Sequence, residues 1–136
     1  MAATITVRLP RTLVNELLHQ AQLSPNREVS GMIGRHGQRC MCYPIDSMAA
    51  DAGVLFALDV EQRQAALKKM DERNQQLFAI YHSHPDAPAL PSVIDGEAVD
   101  YPQALYLVIS LNTRGVLEMR GFQKHDQHIK EVNLII

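Results

Sequence analysis

A chain of 136 residues with 46% hydrophobic and 21% charged side chains has the size and balance of one soluble domain, 1–136, able to bury a core. Its net charge of −2 and the lack of any basic block argue against a nucleic-acid or acidic-membrane partner. The start "MAATITVRLPR" lacks the basic and apolar stretches of a signal peptide, and the longest apolar runs are too short to span a bilayer, so a cytoplasmic protein is expected.

"TITVRL" alternates apolar and polar residues as a strand does. Pro10 then stands where a first helical residue would, and Leu13, Val14, Leu17, Leu18 and Ala21 make one apolar helical face. Ser24-Pro25 ends that helix. "EVSGMIGRHG" and "RCMCYPID" read as two strands joined by a turn near Gly37. Gly31 and Gly34 would let another backbone or a substrate approach closely. Cys40 and Cys42 are the only cysteines. At spacing i, i+2 they face one side of a strand, too poorly placed to bridge, and no second pair completes a zinc knuckle. They are expected to be reduced, structural thiols.

"VLFAL" is a further short extended piece. Asp59 followed by Gln62 is a capping box for a helix through about Asn74. "QLFAIYH" and "ALYLVISL" are nearly continuous apolar runs, as buried central strands are. "GVLEMRGFQ" and "IKEVNLII" close the chain as strands, the first after the turn signal "NTRG". This order predicts an α/β (α+β) domain, a mixed β-sheet flanked by helices.

The segment "HSHPDAPALPSVID" sits at the C-terminal end of a predicted central strand. His82 and His84 project to the same side if the strand continues that far. "PDAPALP" is too rich in proline for helix. Ser92 then opens a short helix, with Asp95 within its first turn. Two imidazoles and a carboxylate are ligand types that zinc takes, and three protein ligands leave a fourth position for water. A plainer reading stands beside this one: Ser92-x-x-Asp95 is also a helix capping box. A metal hydrolase needs a general base as well, and Glu28 is the candidate, although local sequence alone favours a solvated strand-start carboxylate there.

The pattern Glu28-x-Ser30-Gly31, then His82-Ser83-His84-Pro85, then Ser92-x-x-Asp95 resembles the JAMM (MPN-plus) metalloprotease motif. With "FALD" at 56–59, it is similar to the small prokaryotic branch of the JAB1/MPN/Mov34 family, over about residues 7–122. The resemblance implies a JAB1/MPN-like (cytidine-deaminase-like) architecture. It also implies one Zn²⁺ per chain held by His82, His84 and Asp95, with Glu28 moving the proton of an activated water and Ser92 donating to the developing oxyanion. Ser83, between the two ligands, points the other way and has a structural role. The family often has cysteine at the place of Ser30, a residue not expected to bind metal.

The implied activity is that of a zinc peptidase or isopeptidase cutting after the C-terminal Gly-Gly of a ubiquitin-like or sulfur-carrier protein. Only a short stretch follows Asp95 before the next strand, which leaves little room for the insertions that larger relatives use to grip ubiquitin chains. An extended substrate tail could pair along a sheet edge near residues 48–58. A non-catalytic scaffold of the same fold, and a zinc amidase acting on another substrate, use the same residues and stay open. His19 is expected on the polar side of the first helix, His36 beside a turn, His125 and His128 solvated around the last turn, and Tyr81 in the core.

Overall fold

The apolar runs of the sequence assemble into a single mixed sheet carrying a helix on each face. The structure, a computed structural model, describes residues 5–23, 29–46, 58–84, 103–110, 118–125 and 128–136. In chain order these form β1 (Thr6–Arg8), α1 (Arg11–Leu23), β2 (Ser30–His36), β3 (Arg39–Pro44), α2 (Val60–Glu72), β4 (Gln76–His84), β5 (Leu105–Ser110), β6 (Glu118–His125) and β7 (His128–Ile135). The strand order is β1-β7-β6-β5-β4-β2-β3. Two pairs, β1–β7 and β4–β5, are parallel, and the others are antiparallel. The mixed α+β class expected from the sequence is the one observed. The extended piece expected at 54–58 falls outside the described residues except for Leu58, which is buried. The short helix expected after Ser92 also lies outside them.

Strand β5 shows how the sheet carries two cores. Every one of its side chains is buried. Leu105, Leu107 and Ile109 pack with Leu9, Leu13, Leu17 and Ala21 on the α1 side. Tyr106 and Val108 pack with Ala66, Met70 and Phe122 on the α2 side. A central strand covered on both faces has no polar side to show, so its sequence loses the two-residue alternation. Each fully buried Leu or Ile stabilises the fold by about 1.5–3 kcal/mol relative to exposure.

Helix α1 ends at Leu23, immediately before Ser24-Pro25 as expected. Helix α2 starts as half of the expected capping box. The Asp59 carboxylate accepts from the Gln62 backbone N–H at 2.9 Å. Gln62 does not return the bond. Its side chain accepts from Asp46 N–H and donates to the Asp46 carboxylate, while Asp59 N–H goes to the Asp46 carbonyl at 3.0 Å. The box is opened because Asp46, in the chain leaving β3, offers a better partner, and the cap ties that chain to the helix. At the other end α2 stops at Glu72, short of the expected Asn74. Asn74 takes a left-handed conformation, φ 57°. The Gln75 N–H reaches back to the Met70 carbonyl at 2.8 Å, closing a Schellman-type end.

The turn near Gly37 joins β2 and β3 as expected, with φ 61° at Gly37. Cys40 and Cys42 are free thiols that both pack toward the α1 core. Glycine at 31 is required by the protein's own packing. A Cβ there would collide with the Tyr43 carbonyl and lie 2.6 Å from the Tyr81 hydroxyl. Tyr81 is fully buried and donates to Gln20 Oε1 at 3.0 Å. Among the described residues no helix is long and apolar enough to cross a membrane.

Candidate active site

Three strand ends meet at one pole of the sheet: the start of β2 and the C-terminal ends of the parallel pair β4 and β5. Ser30 stands opposite His82 in the antiparallel β2–β4 register. Across the parallel pair, His82 stands beside Val108 and His84 beside Ser110. Strand β4 runs through His84, so the condition on the H-x-H spacing holds for the backbone.

His82 is 0% exposed and Ser110 is 1% exposed. By alternation along β4, His82 falls on the face of Ile80, in the α2 core, and Ser83 on the face of Tyr81, in the α1 core. The expectation that Ser83 turns away from the histidines and serves structure is met by its bonds. Its hydroxyl accepts from Val29 N–H at 2.8 Å, and its own N–H donates to the Val29 carbonyl at 2.8 Å. The residue between the two histidines is thus clamped to the residue that follows Glu28. A second clamp lies beside it. Ser30 Oγ donates to the Ile45 carbonyl at 2.6 Å, and Ile45 N–H donates to the Ser30 carbonyl at 3.0 Å. Ser30 thereby fixes the chain beyond β3, in keeping with a role that is not metal binding.

Glu28, Ser92 and Asp95 lie outside the described residues. Among the described residues no group of three His, Cys, Asp or Glu side chains comes together as a metal site. Ser83 was expected to serve structure, but its partner Val29 was not, and the buried Ser110 was not singled out by the sequence. The only signal of either serine is a small polar residue inside or at the end of an apolar run. Away from this pole, His19 and His36 are exposed, and His36 Nδ1 lies 2.8 Å from the Asn74 carbonyl. His125 and His128 face each other in the β6–β7 register.

Cys42 and Tyr81 are the described groups whose ionisation the fold resists most. Burial, then the neighbouring Glu16 carboxylate to which its thiol hydrogen-bonds, pushes the Cys42 thiol up to about 12. Burial first, with Cys42 and Glu16 nearby, also pushes the Tyr81 phenol upward. Both groups are neutral core members near pH 7, which removes them from nucleophile or base chemistry at that pH.

The chain is similar to known proteins in sequence and fold. The family model for prokaryotic homologs of the JAB domain matches residues 10–122. A desampylase of Haloferax volcanii is 30% identical over 93 residues, which is 66% of this chain and 67% of that protein. The solution structure of protein DSY2949 from Desulfitobacterium hafniense aligns over 96% of this chain and 91% of its own, with TM-score 0.67 and 26% identity. A solution structure of a Salinibacter ruber protein covers 95% of this chain and 90% of its own, with TM-score 0.62 at 18% identity, a likeness of fold.

Proposed function

This chain belongs to the family of prokaryotic homologs of the JAB domain, and from that premise we propose that it is a zinc-dependent peptidase or isopeptidase acting on conjugates or extensions of a ubiquitin-like protein. The likeness to a desampylase supports the reading at the level of substrate class. The observation that carries it is the clamp between Val29 and Ser83. It ties the strand start that follows Glu28 to the His82-Ser83-His84 segment, two stretches far apart in sequence that carry the base and ligand pair of this reading.

The donor set fits zinc. His82 and His84 supply imidazole nitrogen, and Asp95 supplies carboxylate oxygen; these three residues would hold the ion. His82 is fully enclosed at the strand end, which suits a ligand held in a fixed orientation. When bound, zinc supplies a Lewis acid that makes water acidic near neutral pH. Glu28 takes a proton from the attacking water and delivers it to the leaving amine. The Ser92 hydroxyl donates to the scissile carbonyl oxygen as that oxygen gains charge. The clamp fixes Val29, the residue that follows Glu28, against Ser83.

The test is incubation with a ubiquitin-like or sulfur-carrier protein whose Gly-Gly end bears a C-terminal extension, read by intact mass. Cleavage after Gly-Gly is expected. Glu28→Gln should keep about one zinc per chain and lose activity by about a hundredfold or more. His84→Ala should lose the metal. Full activity in Glu28→Gln would remove Glu28 from the mechanism. Undiminished zinc in His84→Ala would remove that ligand.

A further inference from the structure

A cavity of about 450 Å³ lies at the end of the sheet remote from His82. Along β2, Ser30 pairs with His82, whereas Arg35 pairs with Gln76 at the opposite end of β4. The cavity is lined by Arg8, Arg11, Arg35 and Gln38, with Leu9 and Ile136 as apolar wall. β1 and the β2–β3 hairpin stand at opposite ends of the strand order. They share this cavity because the sheet curls around α1, whose first turn forms part of the lining.

Its charge is unusual for this chain. The protein carries a net charge of −2, yet Arg8, Arg11 and Arg35 line the cavity with no Asp or Glu, against the one main-chain carboxylate of Ile136. Among the described residues, no carboxylate lies in ion-pair range of Arg8, Arg11 or Arg35. Three cations against one carboxylate leave an excess of positive charge at this place, which favours the uptake of an anion. Arg35 is also held in position: its Cζ sits 4.6 Å above the centroid of the Phe78 ring.

The start of α1 adds hydrogen-bond donors. The first bond of its ladder runs from Val14 N–H to the Pro10 carbonyl at 3.1 Å. The N–H groups of Arg11, Thr12 and Leu13 therefore have no acceptor within the helix. Pro10 has no side-chain oxygen to cap them, and the first turn holds no acidic residue. The three arginines and the first residue of α1 line the same space, and guanidinium groups and helix-start N–H groups both suit a tetrahedral oxyanion.

We propose that this cavity binds the phosphate group of a small phosphorylated molecule, a ligand remote from the candidate active site. Guanidinium groups pair with phosphate oxygens two at a time. The cavity volume falls in the range that encloses small ligands. Leu9 and Ile136 give an organic moiety an apolar surface to rest on.

Calorimetric titration of the full chain with inorganic phosphate and with AMP, in chloride buffer, tests the proposal. One site is expected. Tighter binding of AMP would mean that the organic part is recognised, and equal binding would mean a site for free phosphate; either result supports a phosphate site. Arg8→Gln, Arg11→Gln and Arg35→Gln should each weaken binding by about tenfold or more. Lys130→Gln, on exposed β7 surface, should leave it unchanged. Melting curves check that each variant is folded, and Arg35→Lys provides a milder change that keeps the charge but loses the fork. The proposal is overturned if neither probe binds, or if the folded arginine variants bind as well as the parent. Displacement of AMP by a glutamate-rich peptide at lower concentration than by phosphate would also overturn it, in favour of an acidic protein partner.

Discussion

Ser83 carries more of the local order than either neighbour's sequence suggests. Its hydroxyl is the acceptor for Val29 N–H, in a place where water does not reach Ser83 itself. Ser83→Ala should cost about 1–3 kcal/mol in urea denaturation, because an inward N–H loses its partner. If the clamp also steadies Glu28, kcat should fall while KM changes little. Cys42 allows a different measurement. Burial pushes its pKa up to about 12, so near neutral pH it holds far less thiolate than an exposed cysteine. Alkylation should label Cys40 first, and labelling of Cys42 should keep accelerating as pH climbs toward 12. The raised value also fixes the sign of its pH effect. The neutral thiol is favoured by folding, so this contribution is intact below pH 9 and is lost as pH rises toward 12. Equal labelling rates for the two thiols near pH 8 would contradict this picture.

Helix α2 is held by its ends as well as by its buried face. Ala66 and Met70 are its buried residues and Leu67 packs beside them, and its caps and Arg73 add further ties. The Arg73 guanidinium donates to Met41 Sδ at 2.9 Å and to the Tyr43 hydroxyl at 3.1 Å, tying the helix end to the edge strand β3. Asp59→Ala should therefore lower stability by about 1 kcal/mol, seen as a shift in denaturation midpoint with unchanged slope. The start of this helix was legible because Asp59 acts on a residue three positions away. The fate of the Gln62 side chain was not, because Asp46 reaches it from another element. The same division runs through the candidate site. The spacing of His82 and His84 on a strand could be read from one segment. The partner of Ser83 could not, since a serine inside an apolar run does not announce which backbone it will meet.

At the scale of the whole molecule, the central position of β4 and β5 was visible in two unbroken apolar runs, and the mixed architecture followed from the order of elements. The strand order was not visible. Nothing in the short strand at 6–8 indicates that it will lie beside the last strand, or that curling will bring Arg8 and Arg11 to Arg35. Such meetings are settled by how two apolar faces close over α1 and α2, a property of all the strands together. The arginine cavity was hidden for that reason: its members come from three elements, and none has a local pattern that marks it.

The clamp at the site spans 54 residues of chain, and this has a kinetic side. A contact of such long range closes a large loop and forms only after the strands that deliver it have paired. In native-state hydrogen exchange, the amides of Val29 and Ser83 should open with the steep denaturant dependence of global unfolding, while amides in the Gly37 turn exchange through shallow local fraying. The backbone at His82 then has no private way to loosen. A destabilising change in a part of the core remote from this end of β4 would reduce the population holding this arrangement in proportion to the fraction folded, and would leave each folded molecule's clamp as tight as before.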